Sequence, residues 1–358
     1  MRVDQVIPSL ASRDAIGVHT LCLRDALRAA GLRSDIYYGN CTPDVAHEGR
    51  PVVDLGRSAK DRWLLYQSSI GSPVFDILAA RPEPKLVNYH NITPAELLQD
   101  WEPHVGTEVA LGRAQMERLA PQSRFAVADS EFNRLELEEA GYRGTDVVPL
   151  LIDMTPTTRP APDPALLAAL GEERAAGGAD LLYIGKISPH KAPHDLVKML
   201  AVLRRLYDPQ ARLHLVGSPL GERYGPALHG FIEKLDLGRA VRVTGSVSPE
   251  ELEAYFAVAD VYVSASDHEG FCVPLVEAMG HGVPVVAYGV TAVPETVGRG
   301  GLLLPDKSPL QFAAAVARLL GDPDLRRAVA RGGRERAAQF SLDSSRRHFV
   351  ELVTSTLG

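Results

Sequence analysis

Two glutamates flank the run in this chain whose residue types and spacing most suggest chemistry. Glu269 and Glu277 lie eight positions apart in His268-Glu-Gly-Phe-Cys-Val-Pro-Leu-Val-Glu-Ala-Met-Gly-His-Gly-Val-Pro-Val-Val-Ala287. Pro274 suits the first turn of a helix, and Gly282 suits its end. Glu269 is then expected on the loop before the helix and Glu277 on its body. The free N–H groups at a helix start favour an anion. The run therefore predicts a loop and helix that hold a negatively charged ligand beside two carboxylates. An ordinary loop and helix with two solvated carboxylates is the plainer alternative.

Two lysines and a histidine join these carboxylates. Lys186 and Lys191 stand in Gly185-Lys-Ile-Ser-Pro-His-Lys191, directly after the apolar run Leu181–Ile184. Open α/β sheets bind ligands at the C-terminal ends of their strands, which is where this loop would lie. In isolation, two lysines in a strand-end loop are more often plain surface residues. His90 follows a second apolar run, Lys85–Tyr89, in Tyr89-His-Asn-Ile-Thr-Pro94. A lone histidine is more often structural than functional, so its strand-end position is what marks it.

Taken as one block, Glu269 to Glu277 with Phe271, Pro274, Ala278-Met279, Gly282 to Val286 and Pro294-Glu295 resembles the donor-binding segment of retaining glycosyltransferases of family 4. The resemblance implies an α/β protein of two Rossmann-like domains facing a central cleft (the GT-B fold), with a C-terminal helix that returns to the N-terminal domain. It implies transfer of a hexosyl group from a GDP- or UDP-linked sugar to a hydroxyl of a saccharide, lipid-linked or small-molecule acceptor. It also implies that the anomeric configuration is retained and that no metal or other cofactor is needed. Glu269 would touch the donor sugar and Glu277 the ribose. Lys191 and Lys186 would meet the diphosphate. Lys186 stands where the family usually has Arg, keeping the charge but not the planar fork. His90 would sit beside the sugar. Gly17, Gly185, Val247, Gly270, Phe271, Cys272 and Leu275 complete the expected donor contacts, Val247 through backbone groups near the base. Catalysis would rest on His90, Glu269, Lys191 and Lys186, with the departing phosphate oxygen taking the acceptor proton.

The elements that must position these residues alternate short apolar runs with longer amphipathic ones, the pattern of βαβ units and parallel sheets. In the first half the strands are expected at Val3–Ile7, Ser34–Tyr38, Leu64–Tyr66, Lys85–Tyr89 and Arg124–Ala128, with helices at Val18–Ala30 and Glu131–Ala140. The second half reads as strands at Leu181–Ile184, Arg212–Val216, Val241–Thr244, Val261–Ser264 and Leu302–Leu304. Pro, Thr, Ala and Gly dominate 151–179, which reads as a linker. The expected domains are 1–150 for the acceptor, 180–340 for the nucleotide sugar, and 341–358 as the returning helix.

The composition is that of an ordinary globular protein: 358 residues, 45% hydrophobic and 23% charged. That length favours two domains. A net charge of −7 argues against a nucleic-acid partner. Three cysteines, Cys22, Cys41 and Cys272, form no CxxC pair and fit a reducing compartment. With no signal-peptide pattern and no long apolar run, a cytoplasmic location is expected. Arg24, Arg28, Arg113 and Arg118 allow weak peripheral contact with an anionic membrane, although a solvated helix face is the commoner meaning of such charges. Asp322-Pro-Asp324 looks like a metal motif but reads as a helix cap. Two further readings stay open: a sugar-nucleotide epimerase or phosphorylase on the same architecture, and a non-catalytic nucleotide-sugar-binding protein.

Overall fold

A computed structural model describes residues 1–12, 14–153 and 158–357. It divides into two units. Unit 1 comprises Met1–Ala95, His104–Asp153 and Phe340–Gly358. Unit 2 comprises Glu96–Pro103 and Met154–Gln339.

Unit 1 is built on a parallel sheet. Its strands are β1 (Arg2–Leu10), β2 (Ile36–Cys41), β3 (Arg50–Pro51), β4 (Arg62–Ser68), β5 (Lys85–Tyr89), β6 (Ser123–Ala128) and β7 (Thr145–Val147), in the spatial order β3-β2-β1-β4-β5-β6-β7. The central strands are buried on both faces, because helices cover both sides of such a sheet, although β1, β4 and β5 also bury polar residues such as Gln5, Gln67 and Asn88. These helices are α1 (Ala15–Ala29), α2 (Val74–Ala79), α3 (Pro103–Leu119) and α4 (Glu131–Glu139). Val3, Leu23, Leu65, Leu86 and Val127 form one core with Phe349 and Val353 from the end of the chain. The terminal helix therefore belongs to unit 1, as expected.

Unit 2 repeats the plan. After α5 (Pro164–Ala175) come β8 (Asp180–Ile184), α6 (Pro193–Leu206), β9 (Arg212–Val216), α7 (Tyr224–Lys234), β10 (Val241–Gly245), α8 (Pro249–Val258), β11 (Val261–Ser264), α9 (Val273–His281), β12 (Val285–Tyr288), α10 (Val293–Val297), β13 (Gly301–Leu304), α11 (Pro309–Gly321) and α12 (Pro323–Ala337). Helix α13 (Leu342–Leu357) then closes the chain in unit 1. The unit 2 sheet is parallel, in the order β10-β9-β8-β11-β12-β13. Strand order reverses between β8 and β11, which makes their C-terminal ends the topological switch point.

Three features differ from the sequence reading. Helix α1 begins at Ala15 rather than Val18, because Asp14 caps it by accepting the Gly17 N–H at 3.3 Å. The segment read as a linker, 151–179, holds helix α5 (its residues 154–157 lie outside the described residues). Asp163 caps α5, accepting the Leu166 N–H at 2.7 Å, and Pro164 opens it. Residues Glu96–Pro103 belong to unit 2, although they lie inside the stretch read as the first domain. The cause is Glu102. Its carboxylate accepts the N–H groups of Glu222, Arg223 and Tyr224 at 2.8 to 3.1 Å at the start of α7. Trp101 also packs edge-on against Tyr224.

Candidate active site

In unit 2 the site is assembled from loops at the C-terminal ends of the strands. The loops after β8, β9 and β10 are laced together by their backbones. Gly185 N–H donates to Val216 O, Ile187 N–H to Ser218 O, and Gly217 N–H to Gly245 O, at 2.9 to 3.0 Å. Ser218 Oγ lies 2.5 Å from Ser246 Oγ. This lacing sets Gly185, Lys186 and Val247 along one edge of the sheet. Lys186 is exposed and forms no ion pair among the described residues.

The loop after β11 carries Glu269 to the same edge. Asp267 N–H donates to His190 O at 2.7 Å, which binds this loop to the one after β8. Lys191 Nζ then lies 2.6 Å from Glu269 Oε2, with both side chains largely buried. Two residues 78 positions apart in sequence are thus brought into direct contact. Glu269 is further held by its own N–H, which donates to Thr291 Oγ1 at 3.0 Å. Thr291 and His190 carry no sequence signal; only the fold places them here. Burial, then the charge of Lys191, holds the His190 imidazole well below its ordinary pKa, so its ring stays neutral near pH 7.

Helix α9 follows as expected, with Gly282 ending it at φ 73°. Cys272 caps its start in the left-handed region at φ 70°, a costly conformation for a residue with a Cβ. Burial and the neighbouring Glu269 push the Cys272 thiol well up, so it stays protonated. Phe271 and Leu275 point into the protein, at 6% and 0% exposure. Leu275 N–H is spent on Cys272 O at 3.1 Å, and Pro274 has no N–H to offer. Leu275 is therefore part of the packing that shapes the loop around Cys272. Phe271 O accepts from Thr296 Oγ1 at 2.5 Å, fixing the loop from below.

Glu277 is half-buried in a dense shell of protein atoms and accepts no hydrogen bond at its carboxylate among the described residues. Desolvation, then Glu253, raises its carboxyl to about 7, partly offset by Arg159. Such a group is a strong acceptor when ionised and is ready for hydroxyl donors.

In unit 1, His90 is enclosed. Its Nδ1 lies 2.9 Å from Asp129 Oδ2 and its Nε2 lies 2.7 Å from Gln67 Oε1. Gln67 in turn donates to Gln5 at 2.6 Å, and Gln5 donates to Thr20 O at 3.0 Å. Gln67 thus presents its oxygen to His90 Nε2, and the Asp129 carboxyl faces Nδ1. Burial raises the Asp129 carboxyl, and His90 partly offsets this. His19 stacks edge-on against His90, with centroids 5.0 Å apart. Burial, then His90, keeps His19 well below its ordinary pKa. Gly17 lies in the first turn of α1, where a Cβ would fall 2.0 Å from Ala11 O. Close packing therefore already explains the glycine. The arginines weighed for membrane contact are engaged: Arg24 with Asp25 and Glu48, Arg28 with Asp35, Arg113 with Glu136, and Arg118 with Asp76. Asp322 caps α12, accepting the N–H groups of Asp324 and Leu325 at 3.2 and 3.0 Å.

The architecture is that of a two-unit α/β protein with a ligand edge at the switch point of its second sheet. Residues 172–336 match the family model described as Glycosyl transferases group 1. This segment of the second unit is thus similar to group 1 glycosyltransferases, in line with the resemblance seen in the sequence. Among curated proteins, D-inositol 3-phosphate glycosyltransferase of Corynebacterium urealyticum is 33% identical over 178 residues, covering 48% of this chain and 42% of that protein. The protein of the same name from Kineococcus radiotolerans is 35% identical over 235 residues, covering 60% of this chain and 53% of that one. The chain spans about half the length of the curated relatives it matches. Among solved structures, Anabaena Alr3699/HepE in complex with UDP-glucose matches with a TM-score of 0.78 at 19% identity, covering 99% of this chain and 100% of that one. Sucrose-phosphate synthase from Thermosynechococcus elongatus matches with a TM-score of 0.76 at 19% identity, with 99% of each chain covered. The chain has the GT-B fold.

Proposed function

We propose that the protein is a glycosyltransferase that moves a hexosyl group from a nucleotide-diphosphate sugar to an acceptor hydroxyl, with retention and without a metal ion. The observation that carries this reading is the Lys191–Glu269 contact, on the loop that leads into the helix bearing Glu277, inside the segment similar to group 1 glycosyltransferases. A cation, a sugar-facing carboxylate and a ribose-facing carboxylate are the three functions such a donor needs.

In this reading Lys191 and Lys186 stabilise charge developing on the diphosphate as the bond to the sugar breaks. Glu269 accepts hydroxyls of the sugar and Glu277 those of the ribose. His90, held by Asp129 and Gln67, is the histidine this reading assigns to the donor sugar. The departing phosphate oxygen takes the acceptor proton. Uracil is the favoured base, because HepE, a protein of the same fold, has been solved with UDP-glucose. A phosphorylated polyol is the first acceptor to try, since the curated relatives are named for inositol 3-phosphate.

Thermal stabilisation by UDP, GDP, ADP and dTDP, each with and without EDTA, tests the donor half. A ligand at a hundred times its dissociation constant adds about 2.7 kcal/mol. A selective shift that survives EDTA and is lost in Glu277→Ala is expected. Product NMR after turnover reads the anomeric configuration, and inversion would overturn the retaining assignment.

A further inference from the structure

A second basic feature lies within unit 2, away from the residues above. A cavity of about 500 Å³ is walled on one side by α12, through Arg326, Arg327, Arg331 and Arg334. The facing wall includes Ala259, Gly282 and Pro284, which offer backbone and no charge. No carboxylate lines it.

Two of the four guanidinium groups are already engaged. Arg326 donates to Asp260 at 2.8 Å, and Arg327 pairs with Asp324. Arg331 and Arg334 form no ion pair among the described residues. Positions 327, 331 and 334 share one helix face, four and three residues apart. On a convex surface that would be a solvated stripe. Here the stripe lines a cavity opposite an uncharged wall. A methyl group on Gly282 would fall 1.6 Å from Arg334 Nη1, so the bare glycine is what lets this guanidinium lie across the end of α9. In a chain of net charge −7, such a concentration of uncompensated cations makes a local positive potential.

The cavity is not part of the donor edge. Ala259 precedes β11 and Pro284 precedes β12, so it opens at the N-terminal ends of the strands. Lys186, Lys191 and Glu269 follow the C-terminal ends of β8 and β11.

We propose that this cavity is a second anion site, which takes a ligand carrying a phosphomonoester or diphosphate group. Arg331 and Arg334 hold the phosphate oxygens through paired N–H donors, the geometry that suits guanidinium to phosphate. Arg326 and Arg327 frame the site while retaining their carboxylate partners.

Calorimetric titration of the full chain with inorganic pyrophosphate tests this, using wild type, R331Q/R334Q and K186A/K191A. The expected result is a binding component that persists in K186A/K191A and weakens by about tenfold or more in R331Q/R334Q. R331K/R334K guards against misfolding. It keeps the charge, loses the fork, and should weaken binding by several-fold with an unchanged melting temperature. Sedimentation with phosphatidylcholine vesicles carrying phosphatidic acid, whose headgroup is a phosphomonoester, against phosphatidylcholine vesicles alone, separates two sources of the phosphate. Arginine-dependent sedimentation assigns the site to a lipid headgroup. Arginine-dependent pyrophosphate binding without sedimentation assigns it to a soluble phosphate compound. Pyrophosphate isotherms that are the same in wild type and R331Q/R334Q, with no arginine-dependent sedimentation, overturn the proposal.

Discussion

Lys191 Nζ sits 2.6 Å from Glu269 Oε2. The contact joins the loop after β8 to the loop after β11, at the switch point of the second sheet. In the proposed reading a diphosphate arriving there shares Lys191 with Glu269, which couples phosphate binding to the carboxylate assigned to the sugar. Removing a charge-stabilising donor of this kind costs about 10² to 10³ in turnover. Lys191→Ala is expected to lower kcat on that scale. Glu269→Gln is expected to lower kcat while leaving nucleoside diphosphate affinity unchanged or tighter. Full turnover of Lys191→Ala at saturating donor would remove this lysine from the mechanism.

Glu277 predicts a pH dependence. Its carboxyl is raised to about 7. In the proposed reading ribose hydroxyls donate to the ionised form, so nucleotide affinity should rise as pH increases through about 7 and level off above it. For stability the sign is opposite. The native state binds more protons than the unfolded chain between the ordinary carboxyl value and about 7, so Glu277 makes stability fall across that window as pH rises. Glu277→Gln should flatten both trends, read by calorimetric titration and by thermal melts over the same pH series.

In the proposed reading Asp129 acts on His90 as a positioning residue, and Asp129→Asn keeps the shape but replaces the carboxyl at Nδ1 with a neutral amide. Turnover should fall by about tenfold or more, with donor KM changed much less and the pH profile of kcat displaced. An Asp129→Asn enzyme with the wild-type pH profile would make the contact purely structural.

Asp180 is a fold residue with a large expected effect. It is buried at the start of β8, with hydrogen bonds from Arg212 and His214 at 2.8 to 3.0 Å. Burial alone would raise its carboxyl, but the bonds from His214 and Arg212 hold it down to about 2. Its stabilisation is present above the ordinary carboxyl value and is lost as pH falls toward about 2. Asp180→Ala leaves the Arg212 guanidinium without its carboxylate and should cost on the order of 3 to 5 kcal/mol, measured by denaturant unfolding. Nucleotide affinity of the folded fraction should not change.

Much of the loop set after β8 and β11 is legible because its residues lie in two short runs. Pro274 and Gly282 bracket α9 by local backbone preference, and the apolar run before Gly185 marks β8. Helix α5 was also written locally, with Asp163 as cap and Pro164 at the first turn. It was masked by the Pro and Gly around it. Helix α3 carries a weaker apolar stripe, and Gly106 and Gly112 interrupt it. The support around His90 left no such trace, since Gln67, Asp129 and Gln5 come from three different strands or their ends.

What the sequence determined by itself is what neighbours along the chain decide: strand and helix periods, caps, turn glycines, and the run from Glu269 to Glu277. The tertiary structure alone decided which of these residues meet. Lys191 reaches Glu269 across 78 positions because two parallel strands place their loops side by side. Glu102 joins unit 2 because its carboxylate meets three free N–H groups at the start of α7. Glu277 acquires its raised carboxyl from burial and Glu253, neither of which is a local property. Hydrogen bonds and desolvation depend on distance in space, and the parallel sheets bring those distances down between residues far apart in the chain.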